Sequence, residues 1–505
     1  MNQQRRRALL WPLLLTLLLS SFAGSGCSGG SENAKKDEGV SSGVEQSQAD
    51  PPPSAETAEP EEQESVPAYP YETADLGGGD FTFLNVADDL WQGTFHVIDY
   101  EEESGEGVSD ALFRRARGTE EEFNCAVKVE KPSSDISQVY QTLGRAVTAG
   151  DDIYDAAYVG LASFGDALSG KYGINLLGIE SLRTDEPWWN RMFIRDMTFE
   201  GNLFASIDYV CMMGYGYSNV LFFNQPLYID RNIPLPYDQV REGTWTYDAM
   251  KAAMDAVVDL NGATAFVAND QNSPALWGYA IQHQEGTMVM LDGSGEFLVS
   301  RDADGMPYLR TDLERIQSAY SKLCAMFAGD GYCLNANGPA MNAFMRGSAL
   351  FFQTALGVSA DTFRELEFMY GILPLPKYEE SQSQYYTMIS EYTLALQIPK
   401  TVADPEISGK VIDYMAYHGY YDIVPVMQTT FCYKGMRDED SIEMMNITLD
   451  TMTVDFGYLY GWSKDTVGRL ATNIANGQDT FASSMKSAEK MITKMIEKTQ
   501  KEFGK

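Results

Sequence analysis

From residue 81 onward, apolar and polar positions alternate between two periods. Phe81-Thr82-Phe83-Leu84-Asn85-Val86 has the period of two of a half-buried strand. After a polar loop, Val108 to Asn124 places Ala111, Leu112, Arg115 and Phe123 at helical spacing, and Cys125-Ala126-Val127-Lys128-Val129 returns to the strand period. Asp135 to Ala149 predicts a second helix: Ile136, Val139, Tyr140, Leu143 and Val147 share one face, and Asp135 is a residue type that caps helix starts. Asp155-Ala156-Ala157-Tyr158-Val159 predicts a third strand. This strand–helix–strand–helix–strand order predicts an α/β lobe with a mainly parallel sheet.

The same style continues. Leu203 to Ile207 and Val220 to Phe223 are predicted strands. Ala249 to Leu260 is a predicted helix with Met250, Met254, Val257 and Val258 inward; Trp245 reads as structural, beside a helix that starts at Asp248. Thr311 to Phe327 predicts another helix, and Met341 to Arg346 a helix running into a strand at Ser348 to Phe352. Asp479 to Phe503 predicts a terminal amphipathic helix with Phe481, Met485, Met491, Ile492, Met495 and Ile496 inward. No fixed-period repeat is present.

The first 75 residues differ in character. Arg5 to Arg7 precede a leucine-rich run from Ala8 to Leu19, and Ala23-Gly24-Ser25-Gly26 then meets Cys27. A basic start, a short apolar run and small residues are the layout of a secretory signal, here residues 1–26. Cys27 resembles the lipidated cysteine of a bacterial lipoprotein, although Gly24 stands where lipoproteins prefer Leu, Val or Ile. Residues 27–75 are rich in Ser, Gly, Glu, Pro and Ala, a composition expected of a disordered, extended tether of the Gram-positive lipoprotein type.

Beyond the tether remain roughly 430 residues, more than one hydrophobic core usually holds, so two lobes are expected. With a formal net charge of −35, nucleic acid is not an expected partner, because binding its phosphates needs clustered Lys and Arg. Five cysteines follow Cys27: Cys125, Cys211, Cys324, Cys333 and Cys432. An odd number leaves at least one unpaired within the chain, and Cys324 and Cys333 are near enough in sequence for a disulfide. The three histidines, His96, His283 and His418, are scattered, and the cysteine spacings form no zinc motif, so no metal or cofactor is expected. No Gly-x-Ser-x-Gly elbow, Walker loop or His-Glu-x-x-His sequence is present, and no carboxylate pair stands out. The chain reads as a binding protein and not as an enzyme; a lipid-anchored glycoside hydrolase is the enzyme alternative.

Several segments carry a family resemblance. Leu221-Phe222-Phe223-Asn224-Gln225, followed by Gly243-Thr244-Trp245-Thr246-Tyr247-Asp248-Ala249-Met250, resembles the hinge-and-helix signature of family 1 ABC-transporter extracellular solute-binding proteins. Met341 to Phe351 looks like that family's helix–Gly–strand segment, and Tyr370 to Lys377 with Ile398-Pro399-Lys400 resembles its later stretches. The resemblance covers roughly residues 78 to 500. It implies a type II periplasmic-binding-protein fold, two α/β lobes joined by a hinge with ligand between them. Lobe 1 would comprise residues 76–222 and 393–450, and lobe 2 residues 226–390 and 451–505. The resemblance further implies hinge closure around a sugar or oligosaccharide, recognition by an ABC permease at the extracytoplasmic membrane face, and a monomeric protein. Sensing for a histidine kinase, or binding of peptides or other polar solutes, is the alternative role of the same fold.

Sugar recognition needs flat aromatic faces and side chains that form paired hydrogen bonds. The residues expected at the cleft are Trp188 and Trp189 in the loop after Pro187, Trp277 at a predicted helix start, and Asp208 and Tyr209 after a strand. Phe352 beside the helix–Gly–strand segment, Glu391 and Tyr392 before the second crossover, and Asp155 at the third strand complete the set. Trp462 fits either the cleft or the packing of the last helices.

Overall fold

Two sheets organise the chain, each built from strands whose apolar faces are covered by helices. The computed structural model describes residues 67–90, 95–161, 170–270, 272–360, 362–431 and 439–503; the signal segment, Cys27, most of the tether and Cys432 lie outside the described residues. Residues 65–505 form one compact unit.

The first sheet has the order β12-β3-β1-β2. β1 (Gly79–Leu84) runs parallel to β2 (Cys125–Glu130) and β3 (Ala156–Gly160), and β12 (Leu394–Gln397) closes the sheet antiparallel to β3. Parallel neighbours need crossover helices. Gly107–Phe123 and Ile136–Ala149 supply them. The second begins where the Asp135 carboxylate accepts the Ser137 and Gln138 amides, and ends at Gly150 with φ +79°, a conformation that costs little without a Cβ.

The second sheet has the order β10-β4-β9-β5-β8. β5 (Trp277–Ile281) runs parallel to β8 (Cys333–Asn335) and β9 (Ala349–Ala355), whereas β4 (Asn219–Asn224) is antiparallel to β9 and to β10 (Tyr370–Leu373). Every residue of β4 is buried, as expected of a strand covered on both faces. A hairpin, β6 (Val299–Arg301) with β7 (Pro307–Leu309), and a short parallel pair, β11 (Thr387–Met388) with β13 (Met452–Thr453), complete the strands.

The chain passes from β3 to β4, returns from β10 to β12, and then places the helix Pro405–His418 against Gly107–Phe123. The expected first lobe ran to residue 450. The helix Asp440–Asp450 instead packs on β10, and Arg241 of the second half pairs with Asp440 and, at 2.7 Å, with Glu443. Leu203 to Ile207 forms no strand; only Ser206 bridges to Leu396. The helix Tyr247–Val257 is capped by Thr246, not by Asp248, and Trp245 is fully buried with its indole N–H donating to the Pro374 carbonyl at 3.1 Å.

Two further expectations fail for reasons of packing. Cys324 and Cys333 are both free thiols: Cys324 points its Sγ at the Gln478 carbonyl, while Cys333 sits in β8 paired with Tyr279. In the terminal helix Phe481–Phe503, Met491 and Met495 are exposed; the buried stripe runs through Phe481, Met485, Ala488, Ile492 and Ile496. Spacings of three and four keep one face, and the two methionines fall on its flank. Trp462 packs with the last helices, stacked on Tyr460 and donating to Thr499. Among the described residues no helix is long and apolar enough to cross a membrane.

Candidate ligand cavity

Parallel strands of both sheets end at one crevice. β1 leads toward Leu90, β2 toward Ile136, β5 toward Gln282 and His283, and β9 ends at Thr354 and Ala355; all of these residues line a cavity of about 340 Å³. Open α/β sheets bind ligands outside the carboxyl ends of their strands, because side chains from several loops converge there. Gly160 helps to shape this wall: a Cβ at that position would stand 2.0 Å from the Ile136 Cγ2.

The floor is polar and mostly fixed. Asn219 opens β4 and donates through its Nδ2 to the Met388 carbonyl at 3.1 Å. Its Oδ1 accepts from the Gln353 Nε2 at 2.6 Å. Amides tied together in this way lose little further freedom when a ligand arrives.

Glu285 differs from its neighbours. It starts the helix Glu285–Asp292, where the helix dipole favours negative charge. Its side chain is only 16% exposed, its Oε1 is buried without a hydrogen-bond partner, and the His283 Nδ1 lies 3.9 Å away. Burial raises the Glu285 pKa above the ordinary carboxylate value, and Ser390 and His283 pull it partly back. Tyr217 and the half-exposed Tyr392 add aromatic surface. Past Tyr392, Leu90 and Ile136 the crevice continues into an open groove of about 450 Å³ lined by Ser134, Ser137, Tyr140 and Gln141. Aromatic faces beside amide and carboxyl groups suit a polyhydroxylated solute: C–H edges meet the rings and hydroxyls meet the polar atoms. Among the described residues no three His, Cys, Asp or Glu side chains converge as a metal site.

Of the residues expected from sequence, the structure brings only Tyr392 to this cavity. Glu391, its neighbour, faces an adjoining groove, where it accepts from Tyr458 at 3.0 Å and pairs with Lys464. Trp188 and Trp189 are buried elsewhere, and both indole N–H groups donate to the Asp413 Oδ1, at 3.1 and 2.8 Å. Trp277 does not start a helix but opens β5, opposite Ala349, and packs its ring edge-on to Phe266. It stands at the end of β5 away from the cavity, roughly 13 Å along the strand.

Asp208 is buried beneath the first sheet. It accepts from the Tyr158 hydroxyl and the Val210 and Cys211 amides, and burial raises its pKa to about 6 against the pull of those donors. Tyr209 meets Tyr420 edge-on. Phe352 is fully buried against Phe344 and Phe363. Asp155 accepts the Thr82 amide at 2.7 Å, at the start of β3 and so at the wrong end of that strand for the crevice.

Sequence reasoning missed Asn219, Glu285 and Gln353. A signal was available: Asn219 opens the apolar run of β4 and Gln353 follows that of β9, and burying such amides costs stability unless a partner or a ligand repays it.

No family model matches the chain, and no curated protein matches it. Solved structures do. The cyclic α-maltosyl-1,6-maltose binding protein of Arthrobacter globiformis aligns over 84% of this chain and 100% of its own, with a TM-score of 0.54 and 13% identity. A Rhizobium etli sugar transporter in an open conformation aligns over 83% and 99%, at 0.54 and 10%. A Listeria monocytogenes ABC substrate-binding protein in complex with cycloalternan aligns over 85% and 99%, at 0.51 and 14%. At these identities the likeness is one of fold: the chain has the α/β fold of ABC-transporter solute-binding proteins along nearly their whole length.

Proposed function

We propose that this chain is the extracytoplasmic solute-binding lipoprotein of an ABC importer. It captures a sugar or oligosaccharide by closing around it and presents the closed form to a membrane permease. The observation that carries this reading is the cavity of about 340 Å³ at the strand ends of both sheets, where Glu285 keeps an unpaired oxygen beside fixed amides and tyrosines. The solutes named for the proteins of like fold, cycloalternan and a cyclic maltosyl-maltose, are carbohydrates and support that class. Cys27 carries the lipid anchor, and the segment after it tethers the binding unit to the membrane as a monomer; the tether expected to reach residue 75 stops short of Tyr69 and Tyr71, whose hydroxyls donate to Asp413 and Glu186. The aromatic–amide lining serves binding, not turnover.

Thermal unfolding of residues 65–505 against mono- and oligosaccharides, with amino acids and peptides as controls, tests this. A cognate solute at ~100 times its dissociation constant stabilises the native state by about 2.7 kcal/mol. Stabilisation by a peptide and by no sugar would remove the carbohydrate class. Turnover of a glycoside by the purified chain would overturn the binding role.

A further inference from the structure

The terminal helix Phe481–Phe503 carries a feature that solute binding does not use. Its buried stripe leaves the opposite face to Lys486, Lys490, Lys494, Lys498 and Lys501, all exposed. At ~100° per residue, Lys490, Lys494 and Lys501 project away from the core, and the helix holds them along roughly 16 Å. Lys486, Lys490, Lys494 and Lys501 make no ion pair with another described residue. Glu497 is the acidic residue on this face. Met491 and Met495 lie along its edge, 42% and 37% exposed.

A row of cations on a chain with net charge −35 is out of character with the rest of the surface. Solubility does not require it, because the remaining surface already supplies charge. Screening makes the row locally effective: at about 0.1 M salt charges act over roughly 10 Å, so the helix presents a positive surface despite the acidic whole.

We propose that this helix lies against an anionic lipid surface. Its lysines would meet the headgroups, and Met491, at the edge of the row, would enter the headgroup–acyl boundary. A basic row with an exposed apolar side chain at its edge is the pattern of an interfacial helix. The inference does not rest on the solute-binding reading, since vesicle binding is measured without solute.

Residues 65–505, free of any lipid anchor, are sedimented with vesicles of equal parts phosphatidylcholine and phosphatidylglycerol, and with phosphatidylcholine alone. Binding is expected only to the mixed vesicles and is lost in half-molar salt. Reversing three charges (K490E, K494E and K501E) weakens it on the order of a hundred-fold. Met491→Ser weakens it several-fold at unchanged charge. The thermal midpoints of both variants stay at the wild-type value, because every altered side chain is exposed. No binding to the mixed vesicles, or equal binding by the charge-reversed variant, overturns the proposal. Insensitivity to Met491→Ser, with equal capture by soluble polyglutamate, reassigns the face to an acidic protein and overturns it as well.

Discussion

Two aromatic-rich regions of this protein differ in whether their polar atoms are satisfied. Around Asp413, the Trp188 and Trp189 indoles, the Arg183 amide and the Tyr69 hydroxyl all donate to one carboxylate, and Tyr417 packs edge-on to both Trp188 and Tyr69. At the strand-end cavity, Tyr217 and Tyr392 stand beside Glu285, whose Oε1 has no partner. The first arrangement is complete without a ligand. The second has unused hydrogen-bonding capacity, and a buried polar group without a partner costs stability that a ligand can restore. Aromatic content therefore does not distinguish structure from site here; a carboxylate oxygen left without a partner at a cavity wall does.

The strongest way to break this contrast is Asp413→Ala. It strands buried donors and is expected to cost about 3 kcal/mol of stability, because each unsatisfied group costs about 1 kcal/mol or more. Chemical denaturation measures it; a loss below about 1 kcal/mol would show that the cluster is not held by its carboxylate. Solute affinity of the folded variant should not change.

A smaller effect, on affinity, separates Tyr392 from Trp277. Tyr392→Ala should weaken solute binding about ten-fold, equivalent to about 1.4 kcal/mol, with an unchanged unfolding midpoint in the absence of solute. Trp277→Phe should keep affinity within about two-fold while lowering stability by about 1 kcal/mol, since it trims a packed core ring. Calorimetric titration of both variants reads the difference, and the reverse pattern would move the site to the other end of β5.

The smallest expected effect is a pH slope. Glu285 has a folded pKa above its ordinary value of 4.5. As pH rises past that value the unfolded chain ionises first, so stability falls until the folded carboxyl ionises too, and then levels off. Glu285→Gln should flatten this segment and raise stability at neutral pH in the absence of solute. A slope unchanged in the variant would assign it to other buried acids, such as Asp455, whose pKa burial raises to about 6.

Where sequence reasoning failed, the cause was geometric. Phe352 and Gln353 are adjacent in β9, and successive strand residues face opposite ways. Choosing the aromatic selected the core side, against Phe344 and Phe363, and passed over the residue that reaches Asn219. Trp277 was placed on a predicted helix start, but its strand runs toward the cavity from the far end. Met491 and Met495 look inward by composition, yet sit outside the stripe that Ile492 and Ile496 share.

The sequence by itself determined the periodic elements and their order. The Asp135 cap, the helical stripe of Val139, Tyr140 and Leu143, and the apolar run of β4 each follow from local rules, because backbone period and side-chain burial are set within a few residues. That order was enough to predict an α/β chain. Only the tertiary structure decided which ends of the strands meet and that one oxygen of Glu285 is left without a partner there. Asp413 lies 128 residues beyond Glu285 in the chain, and whether either finds its donors depends on loops that converge from distant segments, a property that no local pattern encodes.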